Sequence, residues 1–203
     1  PQGCRLILVG DPDQLPPVGP GFPLSDILRS NMLPTVRLTE IFRQAQESLI
    51  VMNAHQVNKG QMPQLRDVKH DFFFLPANSD ENVGMTIAGL CTTRLPEKMG
   101  IPSEQIQVLS PTKKGAAGTV SLNRLLQAKL NPPAPNKRER SFGDFIFREG
   151  DRVMQIRNNY DILWKKTDGS AIGNGIFNGD VGIIRSVDPQ MEQVTVVFDD
   201  REA

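Results

Sequence analysis

The sequence predicts an α/β protein with a parallel sheet in its larger part and a small antiparallel barrel at its end. The sheet is predicted by short, fully apolar runs such as residues 6–9 (LILV), and its helices by apolar residues at helical spacing between these runs. The barrel is predicted by the dense Asp-Gly and Asn-Gly turns after residue 145. With 38% hydrophobic residues in a chain of 203, there is enough apolar material for a buried core.

Strand and helix signals alternate along the larger part. The runs that read as strands are residues 5–9, 36–38, 72–75 and 105–110. The segments that read as helices are residues 25–29, 45–59, 81–94 and 118–130. In such sheets ligands bind at the carboxyl ends of the strands, so the turn after residue 9 is a candidate site.

From residue 145 the pattern changes to short strands separated by turn residues. Asp168-Gly169, Asn174-Gly175 and Asn178-Gly179 are the clearest turns, and a short apolar run begins at Val181. We therefore expect three parts: residues 1–34, residues 35–148, and a barrel over residues 149–203.

The charge balance is neutral overall but uneven. The chain has 23 Lys and Arg against 23 Asp and Glu, yet residues 111–140 hold seven cationic side chains against Glu139 alone, a net charge of +6. A surface that contacts phosphates explains this stretch, and so does a solvated face with a flexible loop. Charge alone leaves both interpretations open.

The two cysteines, Cys4 and Cys91, match no metal-ligand spacing and are expected to be small buried hydrophobic residues in a reducing compartment. His55 and His70 show no ligand partners, and we expect no metal site in the chain. No apolar run reaches the roughly 18 residues of a membrane helix, and no secretion signal is present, so we expect a cytoplasmic protein without a membrane partner. Because the chain begins at Pro1 and enters a strand pattern almost at once, we interpret it as an excerpt of a longer polypeptide.

The turn at residues 10–19 (GDPDQLPPVG) carries the strongest local signal. Asp11 and Asp13 can cap the turn, and Gln14 offers an amide for a phosphate oxygen or a lytic water. On composition alone, an ordinary proline-rich turn is the better interpretation.

Five segments in this chain resemble motifs of superfamily 1 DNA helicases of the RecD-like and TraA-like type, the type of the exodeoxyribonuclease V alpha subunit. Residues 8–19 (LVGDPDQLPPVG) resemble motif III, and residues 38–44 (LTEIFRQ) resemble motif IV. Residues 108–119 (VLSPTKKGAAGT), with Asn123 beyond, resemble the segment that grips single-stranded DNA. Residues 150–155 (GDRVMQ) and 177–182 (FNGDVG) resemble the stretch around the barrel inserted in the second motor domain.

The resemblance implies the end of one RecA-like domain of the P-loop NTPase type, most of a second, and an SH3-like barrel insert. It implies an ATP site between the two domains, with Gly10, Asp11 and Gln14 on one wall and Arg43 as the arginine finger on the other. The Gly-rich loop with Lys and Ser/Thr and the acidic pair that holds Mg²⁺ do not occur in the 203 residues, nor do motifs V and VI. We therefore expect ATP and Mg²⁺ to act in the parent protein, none to bind tightly to this chain, and this chain alone to be inactive.

For DNA, the resemblance points to Thr112, Lys113, Lys114, Thr119 and Asn123 as contacts. The start of the following helix would direct its positive dipole end to the same phosphates. Tyr160 and Trp164 are each equally suited to stacking a base or to the barrel core.

The expected function is that of an ATP-dependent DNA helicase fragment, moving 5′ to 3′ on single-stranded DNA and unwinding duplex in recombination and repair. Its expected partners are single-stranded DNA, the other motor segments of the same polypeptide and, as an open possibility, further subunits of a recombination nuclease complex. Two alternatives remain: a fragment of a conjugative relaxase-helicase, and a non-catalytic module that binds single-stranded DNA.

Overall fold

A computed structural model describes residues 3–15, 19–38, 47–66 and 71–203. These residues form two compact units, Pro1–Pro76 and Ala77–Ala203, which are described separately. Within the described residues, no helix has the length and apolar character needed to cross a membrane.

The first unit contains two described helices, α1 (Pro23–Ser30) and α2 (Leu49–Asn58). Ser48 caps α2, because its side chain accepts a hydrogen bond from the Val51 amide at 3.3 Å. The Asp71 carboxylate supports the same end, since it accepts hydrogen bonds from Ser48 Oγ at 2.5 Å and from the Ile50 amide at 3.2 Å. The pKa of Asp71 lies below its ordinary value, chiefly because of the Ser48 hydrogen bond.

The second unit begins with a helical stretch: α3 (Asp80–Gly89), a π-helical turn (Leu90–Arg94) and α4 (Leu95–Met99). A short 3₁₀ turn (Ser103–Gln105) follows, and α5 spans Thr119–Leu130. The helices predicted at residues 81–94 and 118–130 are therefore confirmed. The π-helical turn precedes Pro96, which has no amide hydrogen to donate within the helix.

Eight strands complete the second unit. They are β1 (Glu139–Phe142), β2 (Phe145–Arg148), β3 (Arg152–Met154), β4 (Asn159–Lys166), β5 (Ile172–Ile176), β6 (Val181–Asp188), β7 (Gln193–Phe198) and β8 (Arg201–Glu202). β1 and β2 form a hairpin, and the other six form one sheet in the order β3-β6-β7-β8-β4-β5. Every pair is antiparallel across residues 139–203, as predicted for this end of the chain.

The main core of this unit packs on this sheet, whose strand order is open with β3 and β5 at its edges. Its buried members are Ile176, Ile184, Val187, Val196 and Phe198. Phe147, Val153, Ile162, Trp164 and Ala203 pack around them. Val187 and Ile184 are each 1% exposed, so the buried face of β6 anchors the sheet.

The individual strands predicted at residues 5–9, 36–38, 72–75 and 105–110 do not form. Leu6, Ile7 and Val9 are 83%, 81% and 93% exposed, so the first of these runs is not a buried strand. A parallel strand takes all its ladder hydrogen bonds from neighbouring strands, and the described part of the first unit contains none.

Candidate functional site

The loop before α5 (residues 110–119, here called the grip loop) folds back onto the start of that helix. The amides of Thr119 and Val120 donate to the carbonyls of Thr112 at 3.0 Å and Lys113 at 3.3 Å. Across the loop, Ser110 Oγ donates to the carbonyl of Ala117 at 2.8 Å. The grip loop is thus closed by its own hydrogen bonds and held at the amino-terminal end of α5.

Two glycines permit this path. Gly115 has φ +89, a left-handed conformation that side-chain-bearing residues rarely adopt. At Gly118, a Cβ atom would lie 2.4 Å from the Lys114 carbonyl oxygen and 2.7 Å from that of Lys113. Gly118 therefore allows the backbone to pass close to itself, which explains why the segment has Gly at this position.

The predicted DNA contacts on the grip loop lie together. Thr112, Lys113 and Lys114 are exposed, and Thr119 is half-buried. Among the described residues, neither lysine ammonium lies within salt-bridge distance of a carboxylate. Both charges are therefore available to a phosphate.

The expectation for the helix dipole needs a correction. The amides of Thr119 and Val120 are already bonded to the grip loop, so they do not face a ligand as free donors. Thr112 Oγ1 likewise donates to the Lys114 carbonyl, at 3.3 Å. The geometry leaves the ammonium groups of Lys113 and Lys114 exposed, whereas the amides of Thr119 and Val120 are occupied. Asn123 is exposed on the second turn of α5.

The turn at Asp11 is ordered by its own side chains. Asp11 Oδ1 accepts from the Asp13 amide at 3.0 Å, and Asp11 Oδ2 accepts from Gln14 Nε2 at 3.1 Å. The capping role expected for Asp11 is therefore present, and the Gln14 amide is held by that carboxylate. Gly10 packs closely, because a Cβ there would lie 2.8 Å from Leu24 Cδ2.

A cleft of about 610 Å³ lies beside this turn within the first unit. Asp11 and Asp13 line one side, and Asn53, His55 and Asn58 of α2 are among the lining residues opposite. The turn offers the Gln14 amide and two carboxylates, but no Lys or Arg side chain to pair with a phosphate. It could therefore form only part of a site for a nucleotide with Mg²⁺. Arg43 lies outside the described residues, as do residues 39–46 around it.

In the barrel region the two candidate aromatic residues differ. Trp164 packs against the core and over Gly173, where a Cβ would lie 2.3 Å from its ring, and the Arg201 guanidinium lies 6.0 Å from the ring centre. Trp164 is therefore a core residue. Tyr160 is 62% exposed and meets Phe177 edge to face at 5.6 Å between ring centres.

Sequence reasoning missed a buried polar cluster that fixes α5 to the strands. Asp151 accepts from Gln127 Nε2 at 2.5 Å, from Asn131 Nδ2 at 2.7 Å and from the Arg148 amide at 2.8 Å. Arg148 also donates through Nη1 to the Asn131 carbonyl at 2.6 Å. Gln127 and Asn131 stand among other polar residues of the helix, such as Asn123 and Lys129, so the sequence carries no signal for this cluster.

The described residues contain no cluster of three or more His, Cys, Asp or Glu side chains arranged to hold a metal ion. Both cysteines are free thiols; Cys91 is buried as expected, whereas Cys4 is exposed, so the expectation of burial was wrong for Cys4. Burial raises the pKa of the Cys91 thiol, which keeps it protonated.

Comparison with known proteins matches both ends of the chain to described families. Residues 122–198 match the family described as the ATP-dependent RecD-like DNA helicase SH3 domain, and residues 1–72 match an AAA domain. The predicted fold class, a P-loop NTPase segment with an SH3-like insert, is confirmed by these matches.

Two curated relatives align over most of this chain. The ATP-dependent RecD2 DNA helicase of Deinococcus radiodurans is 32% identical over 200 residues, which cover 98% of this chain and 24% of that protein. An uncharacterized protein of Methanocaldococcus jannaschii is 25% identical over 219 residues, which cover 87% of this chain and 19% of that protein. The chain thus spans about a quarter or less of the length of these relatives.

Proposed function

We propose, from the premise that this chain belongs to the RecD-like superfamily 1 DNA helicases, that it is the part of an ATP-dependent helicase that holds single-stranded DNA. The observation that carries the proposal is the grip loop. Lys113 and Lys114 stand exposed and unpaired, within the described residues, on a backbone that is closed onto α5. A loop fixed in this way presents its charges to a strand without first having to become ordered.

The loop would hold the strand by charge and not by sequence. Ammonium groups that neutralise phosphates release counterions, so affinity falls as salt rises. Contacts to phosphates alone do not distinguish bases, which suits a motor that must travel along any sequence.

We further propose that Gln14 and Arg43 face the terminal phosphate of ATP from the two motor domains, with Gly10 and Asp11 shaping the turn that carries Gln14. Asp11 supports this role for Gln14, because it fixes the amide at 3.1 Å. The bound Mg²⁺-ATP would supply the free energy for domain closure, and its cation would be held by residues outside this set. Arg43→Ala in the full-length enzyme should slow ATP turnover by about 10³-fold or more, and turnover at the unmodified rate would end this assignment.

We propose 5′ to 3′ movement and a role in recombination and repair from the family resemblance. A cytoplasmic site of action and the division of the chain at residues 34/35 and 148/149 are proposed from the sequence patterns together with that resemblance. Further subunits of a recombination nuclease complex are proposed partners, beside the remaining motor segments. This chain alone should neither hydrolyse ATP nor unwind DNA, and turnover stimulated by a nucleotide in the purified chain would refute that.

The experiment that tests DNA holding is the salt dependence of affinity for an oligo-dT strand, measured by fluorescence anisotropy. Replacing both lysines (Lys113→Ala with Lys114→Ala) removes two phosphate contacts, so the slope of log K against log salt should become shallower by about 1.4. The control is Lys98→Ala with Lys165→Ala, which removes the same charge from two exposed positions outside the loop. If the loop variant keeps the original slope, or the control loses as much, the grip loop is a solvated face and the proposal fails.

A further inference from the structure

The β1–β2 hairpin ends in two exposed aromatic side chains. Phe142 and Phe145 are direct cross-strand partners on either side of the turn at Gly143 and Asp144, and Gly143 takes φ +57. Phe142 is 74% exposed and Phe145 is 45% exposed. Because cross-strand partners share one face of a hairpin, the two rings lie side by side at its tip. Phe142, Phe145 and the turn between them are called the aromatic tip below.

The base of the hairpin is anchored by hydrogen bonds and by packing of Phe147. Arg148 is 5% exposed and donates from Nε to Glu139 Oε2 at 2.6 Å, and Phe147 packs against the sheet core. Arg140 donates to Glu192 Oε1 at 2.5 Å. The exposure of the two rings therefore belongs to an anchored hairpin and not to a frayed one.

The aromatic tip lies beside the middle of α5, and it is the part of the hairpin nearer to the grip loop. The Asp144 carbonyl accepts from Arg124 Nη2 at 3.1 Å, and the Ile146 carbonyl accepts from Gln127 Nε2 at 2.8 Å. At the hairpin's base, the Arg148 guanidinium reaches the Asn131 carbonyl at the helix's last turn. The hairpin thus runs along α5 with its tip toward the amino terminus, and Arg124 is only about 7.5 Å along the helix axis from Thr119.

We infer that the aromatic tip stacks a base of the same nucleic-acid strand whose phosphates the grip loop holds. This inference rests on the proposed function and adds to it a second, uncharged contact. An aromatic ring stacks on any base, so the contact adds affinity without sequence preference.

Charge favours a nucleic-acid strand over an apolar protein surface as the occupant. Lys113 and Lys114 before α5 and Arg124 at its middle place three positive charges in this part of the chain, within a stretch of net charge +6. Of these, none pairs with a carboxylate among the described residues. Cations interleaved with exposed aromatic rings are the combination that single-strand binding surfaces use.

The test compares tip and loop variants of the 203-residue chain in the same oligo-dT titrations. Phe142→Ala with Phe145→Ala should weaken binding about tenfold or more while leaving the salt slope unchanged, because stacking releases no counterions. Phe142→Trp with Phe145→Trp should keep the affinity. The control is Ile172→Ala, which truncates a side chain that is 80% exposed on β5.

A second measurement uses an oligonucleotide of abasic sites with the same number of phosphates. The unmodified chain should bind it more weakly than oligo-dT, and the alanine variant of the tip should bind it as the unmodified chain does. One outcome is that the alanine variant of the tip binds oligo-dT with unchanged affinity while the lysine variant shows the shallower salt slope. That result overturns this inference and leaves the proposed function standing. If the unmodified chain binds no oligo-dT, this inference and the proposed function are both overturned. If the alanine variant of the tip binds oligo-dT normally but no longer self-associates, the tip is a protein contact instead.

Discussion

Asn131 Nδ2 donates a hydrogen bond of 2.7 Å to Asp151 Oδ1, joining the end of α5 to the turn that leads into β3. Asn131 is 8% exposed and Asp151 is 9% exposed, so the bond is shielded from water. Because the grip loop is closed onto the other end of α5, this bond links the proposed DNA contact to the sheet through one helix. The grip loop is therefore connected to the sheet through a hydrogen-bonded helix and not through a flexible segment.

Removing the Asp151 carboxylate should destabilise the second unit. In Asp151→Ala, the buried Arg148 amide loses this acceptor, and the side-chain amides of Gln127 and Asn131 keep only the carbonyls of Ile146 and Glu149. An unsatisfied buried donor costs about 1–3 kcal/mol. We expect the free energy of unfolding to fall by about 3 kcal/mol in urea denaturation followed by Trp164 fluorescence. Asp161→Ala, at an exposed position, should change it by less than about 0.5 kcal/mol, and equal effects of the two changes would contradict the role given to Asp151.

Gly118 should be sensitive to a single added methyl group. In Gly118→Ala the new Cβ meets the Lys114 carbonyl oxygen at 2.4 Å, so the grip loop must move, at a cost of about 1–3 kcal/mol. Affinity for oligo-dT should fall with it, because the lysines move with the loop.

The matched control for that change is Gly89→Ala in the helical stretch. Gly89 has φ −63, and a Cβ there would meet nothing within 4 Å. This variant should be neutral or more stable by up to about 1 kcal/mol, with unchanged DNA affinity. Thermal unfolding gives the stability of both variants, and anisotropy titration gives their affinity for oligo-dT. If Gly118→Ala matches Gly89→Ala in both quantities, the close approach at Gly118 does not shape the grip loop.

The support of α2 by Asp71 should be lost in acid. Its pKa is lowered, first by the Ser48 hydrogen bond and further by backbone amides, so the carboxylate stabilises the folded state above its unfolded pKa. That contribution should disappear as pH falls below about 3.8, the ordinary value. Denaturation at a series of pH values should therefore show that the unmodified chain has a larger free energy of unfolding than Asp71→Asn, and that this difference narrows only below pH 4. If the difference in free energy does not change with pH, the charge of Asp71 is not what stabilises α2.

Gly173 should control the environment of the Trp164 ring. The two residues are cross-strand partners, and a Cβ in Gly173→Ala would lie 2.3 Å from the ring. We expect the ring to be displaced toward water, with a red shift in its fluorescence emission and a lower melting temperature. Ile172→Ala, one position away on the exposed face, should leave the emission unchanged, and a shift of equal size there would show that the close contact is not what positions the ring.

The elements that sequence predicted well are those with local hydrogen bonds. The helix expected at residues 118–130 forms at Thr119–Leu130, and the turn expected at Asp168-Gly169 separates β4 from β5. In this helix and this turn the backbone hydrogen bonds join residues only a few positions apart, so the local pattern carries the information. Asn174-Gly175, also expected to be a turn, lies within β5.

The elements that sequence predicted poorly depend on distant partners. The apolar run at residues 6–9 has the composition of a central parallel strand but no ladder to join among the described residues. The cluster around Asp151 was missed for a related reason. Gln127 and Asn131 are ordinary helix-surface residues until the turn at Asp151 covers them, and no local pattern announces that contact.

The most direct test of DNA holding is to map oligo-dT contacts on the chain by NMR, through shifts of the backbone amide signals on titration. We expect the largest signal shifts in residues 110–124 and 141–146, that is, in the grip loop, the first turns of α5 and the hairpin tip. If the largest shifts instead fall around Tyr160 and Phe177, and the signals of the grip loop do not shift, the grip loop does not hold DNA.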